Sequence, residues 1–86
     1  MEGRLTLSLL PDRSVQMVFT PSIGAAENTS PARARDTAQA WSELVTNFGF
    51  SISRAQASIA QLRRNGHIDL AVSIDGRVIT NLFQSH

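Results

Sequence analysis

The stretch from Ile52 to Phe83 constrains this chain more than any other, because three local signals follow one another in it without a gap. Ser53 has Gln56 three residues later, the spacing of a capping box in which the hydroxyl takes one backbone N–H and the amide reaches back to the cap. A helix is predicted to start there. Ala55, Ile59 and Leu62 recur at four- and three-residue steps as one narrow apolar stripe, and Gly66 stands where a left-handed C-terminal cap is needed. Ile68, Leu70, Val72 and Ile74 then alternate with His67, Asp69, Ala71 and Ser73, the period of a strand with one buried face. Asp75-Gly76 is a hairpin signal, since a type I′ turn requires positive φ at both central residues. With those two in the turn, Ile74 pairs with Arg77, Val72 with Ile79, Leu70 with Asn81 and Ile68 with Phe83.

Opposite the apolar stripe lie Arg54, Ala57, Ser58, Gln61 and Arg64, short polar and basic groups with no carboxylate among them. Such a face suits a helix laid in the DNA major groove, where donors and acceptors must reach base edges without a charge that phosphate repels. The bland alternative is a solvated outer face, which most surface helices have.

A capped helix ending in Leu-Arg-Arg-Asn-Gly-His-Ile and running into a hairpin with arginine at its apex resembles the winged helix-turn-helix DNA-binding regulators, over about residues 36–83. The resemblance implies a recognition helix at 53–65 in the major groove of double-stranded DNA, a wing tipped by Arg77, and a role in transcription regulation. On that reading Arg54, Ala57, Ser58 and Gln61 face base edges, Arg63, Arg64 and Asn65 hold phosphates, and Arg77 touches the backbone or a minor groove. Arg33 and Arg35 add phosphate contacts, whereas Arg4 and Arg13 read as solvated surface charges. The family has three helices before the wing. Here one helix precedes the recognition candidate, and a hairpin stands in place of the first.

That hairpin is Arg4 to Thr20. Leu5, Leu7 and Leu9 alternate with Thr6 and Ser8, Pro11-Asp12-Arg13-Ser14 supplies turn chemistry, and Val15, Met17 and Phe19 alternate with Gln16 and Val18. Its apolar side must cover helices, the wing or a second copy. Residues 21–30 are small and polar without periodicity and read as a connecting loop. Ser30-Pro31 is a helix-start signal, and Ala34, Ala38, Trp41, Val45 and Phe48 mark one face of a helix spanning Pro31 to Phe48, with Leu44 beside them and Gly49 closing it. Trp41 is expected at the core centre. Gly49, Phe50, Ser51 and Ile52 form the turn between the helices. The predicted fold is therefore α+β with order ββααββ, a winged-helix-like unit preceded by an N-terminal β-hairpin. It is a single domain, 1–86, divided into hairpin (1–20), loop (21–30) and helix-turn-helix plus wing (31–83).

Composition narrows the function. The chain has no cysteine, which removes disulfides, thiolate metal sites and cysteine nucleophiles. Its two histidines, His67 and His86, have no carboxylate at an orienting spacing, and no pattern of His and acids has metal-ligand spacing. No enzyme, cofactor or metal is expected. No apolar run approaches a membrane span and no signal segment is evident, so a cytoplasmic protein without membrane contact is expected. All eight basic residues are arginine, against seven acids, for a net charge of +1. At 86 residues the core is small, and a homodimer built through the N-terminal hairpin would enlarge it. The near-neutral charge keeps a second function in view: a protein-binding adaptor or inhibitor that uses the same fold for protein contacts.

Overall fold

The structure, a computed structural model, describes residues 1–23 and 29–84. The alternating N-terminal segments form β1 (Glu2–Leu9) and β2 (Val15–Pro21), paired antiparallel from Gly3 opposite Pro21 to Leu9 opposite Val15. Their turn is closed by the Asp12 carboxylate, which accepts from the backbone N–H and the hydroxyl of Ser14, while Arg13 takes a left-handed φ of 71°. A short β3 (Ala32–Ala34) pairs with β2, and β4 (His67–Ser73) pairs with the other side of β1. The result is an antiparallel sheet in the order β3-β2-β1-β4.

One face of that sheet is oily because the period is two. Leu5, Leu7, Val15, Met17, Phe19, Ile68 and Val72 are buried beneath the helices α1 (Thr37–Thr46) and α2 (Ile52–Asn65), in one continuous core cluster. The other face carries Arg4, Thr6, Gln16, Arg33, His67 and Asp69 in cross-strand rows, and the Thr6 hydroxyl donates to Asp69. The apolar side of the hairpin is thus covered by the chain's own helices.

The stripe Ala55, Ile59, Leu62 is buried as expected, and Gly66 caps α2 with φ 82°. The fold is α+β. Four local expectations are corrected.

The first concerns the wing. Residues 77–83 are helical: α3 (Gly76–Val78) runs into one wider helical turn, Ile79–Phe83, so β4 has no second hairpin strand. Asp75 accepts from the Arg77 backbone N–H as a helix cap. Two forces decide this. β1 offers β4 a long partner whose buried face already continues the core, whereas a two-stranded ribbon is marginal alone. Val78, Ile79, Leu82 and Phe83 also have helical spacing, and Phe83 reaches full burial with ring centroids 5.9 Å from Phe19 and 6.1 Å from Phe48.

The second correction concerns 31–36, which is not helical. Ala34 is fully buried in β3, opposite Val15, and α1 starts after Asp36, whose carboxylate accepts from the Gln39 N–H while the Gln39 amide accepts from the Arg35 N–H. This reciprocal pair outcompetes Ser30-Pro31 as a cap. Third, α2 begins two residues early, at a Ser51 cap that accepts from the Arg54 N–H; Phe50 before it and Ala55 after it are both buried, as in a hydrophobic staple. Fourth, because α1 starts at Thr37, its buried residues are Ala40 and Leu44; Ala38 is exposed and Trp41 half-buried at the rim of the core. Of the expected 21–30 loop, residues 24–28 lie outside the described residues, as does His86.

Candidate functional site

Since β1 and β4 run antiparallel, the strand ends define two poles of the molecule. Arg63, Arg64 and Asn65 close α2 at one pole; β4 then runs seven residues to the other, about 23 Å away at roughly 3.3 Å per residue. Arg77 sits at that far pole and is engaged by Asp75, with Nη2 3.2 Å from Oδ2 and Nε 3.3 Å from Oδ1. The contact holds the Asp75 carboxyl below the usual carboxylate range and the Arg77 guanidinium above its own. The residue expected at a wing tip beside the recognition helix is therefore at the opposite end from Arg64.

The expected helix face divides likewise. Ala57, Gln61, Arg64 and Asn65 are exposed as predicted. Ser58 is buried, at 5 % exposure, and its hydroxyl donates 2.8 Å back to the Arg54 carbonyl, so it faces no base. Arg54 leans away across the start of α2. Its guanidinium lies 3.8 Å over the Phe50 ring and donates 3.0 Å to the Ala71 carbonyl. Arg63 reaches to α1 instead, donating 2.8 Å to the Thr37 hydroxyl.

What the topology does gather is charge. The pole at the end of α2 also receives the β1–β2 turn, the end of β3 and the start of α1, because Leu9 bonds the Gly66 carbonyl and Val15 pairs with Ala34. Five of the eight arginines therefore meet there: Arg13, Arg33, Arg35, Arg63 and Arg64. Among the described residues Asp12 and Asp36 are the aspartates of the same pole, leaving there a local excess of three positive charges that a net of +1 conceals. The Arg33 guanidinium is spent on Asp12, and the Ser14 hydroxyl with the same arginine keeps the Asp12 carboxyl ionised below its ordinary range. Arg13 and Arg63 border one groove of about 450 Å³ with Asp36, Thr37 and Ala38, at the positive end of the α1 dipole. Exposed His67 adds a further nitrogen heterocycle nearby.

Sequence reasoning passed over Arg13 as an isolated surface charge. No local pattern marks it; only the strand register carries the turn to the end of α2. Arg35 is legible in the sequence, but as part of a helix that in the structure starts two residues later.

Among the described residues no three His, Cys, Asp or Glu side chains are grouped to hold a metal ion, and no helix is long and apolar enough to cross a membrane. Comparison with protein-family models, curated proteins and solved structures finds no match to this chain.

Proposed function

We propose that the chain is a small DNA-binding module that holds the duplex by its phosphate backbone, with the basic pole as the contact surface. The observation that carries this reading is the convergence of Arg13, Arg35, Arg63 and Arg64 at one end of the sheet, none of them paired with a carboxylate among the described residues. Guanidinium forks match phosphate oxygens in pairs, and each phosphate neutralised releases counterions. Exposed Gln61 and Asn65 stand on the last turns of α2 beside Arg64, where they meet groove edges. In this reading the winged-helix resemblance contributes its helix and not its wing. Arg33, Arg54, Ser58 and Arg77 leave the contact set, Arg35 stays in it, and Arg13 enters it.

Phosphate contacts position without reading sequence, so binding is weakly selective. A cytoplasmic regulator working as a homodimer, with two such poles on one duplex, is the setting we propose.

Fluorescence anisotropy with a labelled random-sequence duplex tests this. Four phosphate contacts give a slope of log K against log salt of about −3 to −4. The double variant Arg63→Ala/Arg64→Ala brings the slope to about −2 by the same counting, while Arg77→Ala leaves it unchanged. Absence of binding at low salt sinks the reading. Equal affinity and slope for polyglutamate would assign the pole to an acidic polypeptide instead.

A further inference from the structure

A second surface, separate from the basic pole, lies on the free edge of β4. β4 is an outer strand of the sheet. Its ladder to β1 begins at Leu9 N–H to the Gly66 carbonyl and ends at Ile74 N–H to the Met1 carbonyl, which fixes the alternation. Even-numbered β4 residues bond β1, so His67, Asp69, Ala71 and Ser73 aim their backbone N–H and C=O groups away from the sheet. Among the described residues the one bond made on this edge is Arg54 to the Ala71 carbonyl. Unpaired edge groups of this kind are a template for another strand.

The edge is not featureless. Beside Ala71 and Ser73 opens a groove of about 380 Å³, lined also by Phe48, Phe50, Val72, Arg54 and Glu2. Arg54 is flattened on the Phe50 ring and spends one Nη2–H on Ala71, which leaves its remaining guanidinium N–H groups to donate to an anion's oxygens. Because this side chain lies from α2 across to β4, it closes the edge at Ala71. An extended chain arriving from the Ser73 end must stop there.

We propose that this edge and groove bind the C-terminal segment of an extended peptide. The peptide adds antiparallel to β4, exchanges backbone hydrogen bonds with Ser73, seats an apolar last side chain over Phe48 and Phe50, and gives its terminal carboxylate to Arg54 beside Ala71. Main-chain bonds supply affinity, and the groove and arginine supply selection, as in other strand-addition sites. The chain would then join a protein tail at the edge of β4, on another side of the molecule from the arginine-rich pole.

The test uses the full ¹⁵N-labelled chain and two blocked hexapeptides of alternating threonine and valine ending in phenylalanine, one a free acid and one its amide. The free acid at millimolar concentration is expected to shift the Ala71 and Ser73 amides and the Arg54 Nε–H saturably, with Leu70 and Val72 little moved. The amide and the Arg54→Gln variant are expected to bind at least about tenfold more weakly, the loss of a charged hydrogen-bond pair. Ser73→Pro removes an outward N–H while sparing the β1 ladder, so it abolishes the shifts in a folded protein. Equal binding of acid and amide, unchanged binding by Ser73→Pro, or no shift with either peptide overturns the proposal. So does a concentration-dependent shift of the same amides without peptide, which would make a second copy the occupant.

Discussion

Two parts of this chain carry the same written signal and fold differently. At the amino end, alternating segments flank Pro11-Asp12-Arg13-Ser14 and form a hairpin. At the carboxyl end, alternating segments flank Asp75-Gly76, and only the first becomes a strand. In the first case both segments keep their large apolar residues on one face at period two, and each flank finds its best partner in the other. In the second, Arg77 to Phe83 reads at period two only by counting Arg77 and Asn81 with Ile79 and Phe83. At helical period the pairing of Val78 with Leu82 and Ile79 with Phe83, each four apart, is cleaner, and Val78 and Phe83 are buried. β1 meanwhile has a second edge free for β4. A turn dipeptide makes a hairpin when the strand after it has nowhere better to go.

The largest effect that sharpens this contrast is at Phe83. In a solvated wing its ring would be partly exposed and truncation mild. Here it is fully buried against Phe19 and Phe48, so Phe83→Ala should cost about 3–5 kcal/mol, read by urea denaturation. A loss under about 1 kcal/mol would return the segment to a peripheral ribbon.

Next in size is Asp75, whose carboxylate caps α3 through the Arg77 N–H. Asp75→Ala should lower Tm by several degrees and Asp75→Ser by less, because serine also caps. A type I′ turn has no such ranking.

Much of the sheet and of α2 was legible because it rests on local chemistry. Leu5, Leu7, Val15, Met17 and Phe19 alternate strictly, and Ala55, Ile59 and Leu62 with Gly66 define one helix face and its end. Strand partnership was not legible, since β4 could satisfy its edge with a hairpin mate or with a strand sixty residues earlier. The site inherited that ambiguity. Arg63, Arg64 and Asn65 stayed where the helix put them, but Arg77 went to the far pole and Arg13 joined the near one through the register alone. The cap at Asp36 was written in the sequence as Asp-Thr-Ala-Gln and lost to the more familiar Ser-Pro pair.

A smaller effect has opposite signs in the two readings of Asp75-Gly76. Gly76 has none of the positive φ shown by Gly49 and Gly66, and a Cβ there meets nothing within 4 Å. Gly76→Ala should therefore stabilise by about 0.4–1 kcal/mol through the unfolded chain's lost freedom. In a type I′ turn the same change would place alanine at positive φ and destabilise.

The smallest effect compares the two aspartates directly. Asp12 is held below its ordinary range chiefly by the Ser14 hydroxyl, and Asp75 chiefly by the Arg77 side chain. For a carboxyl depressed on folding, the unfolded chain binds the proton more readily. Its contribution is complete above the unfolded pKa, near 3.9, and fades as pH falls through the lower folded value. Both should therefore act only in the acid limb, below about pH 4 to 5. Asp12→Asn keeps the turn's acceptor oxygen and removes the titration, so it should flatten that limb with little change in neutral-pH stability. Salt should erase the Asp75 share more readily than the Asp12 share, because an exposed arginine pair is screened while a hydroxyl bond within the turn is not. Thermal melts from pH 3 to 7 at low and high salt would show it. Equal salt sensitivity of the two limbs would mean that the hairpin turn and the helix cap are held by the same long-range charge and not by their different local bonds.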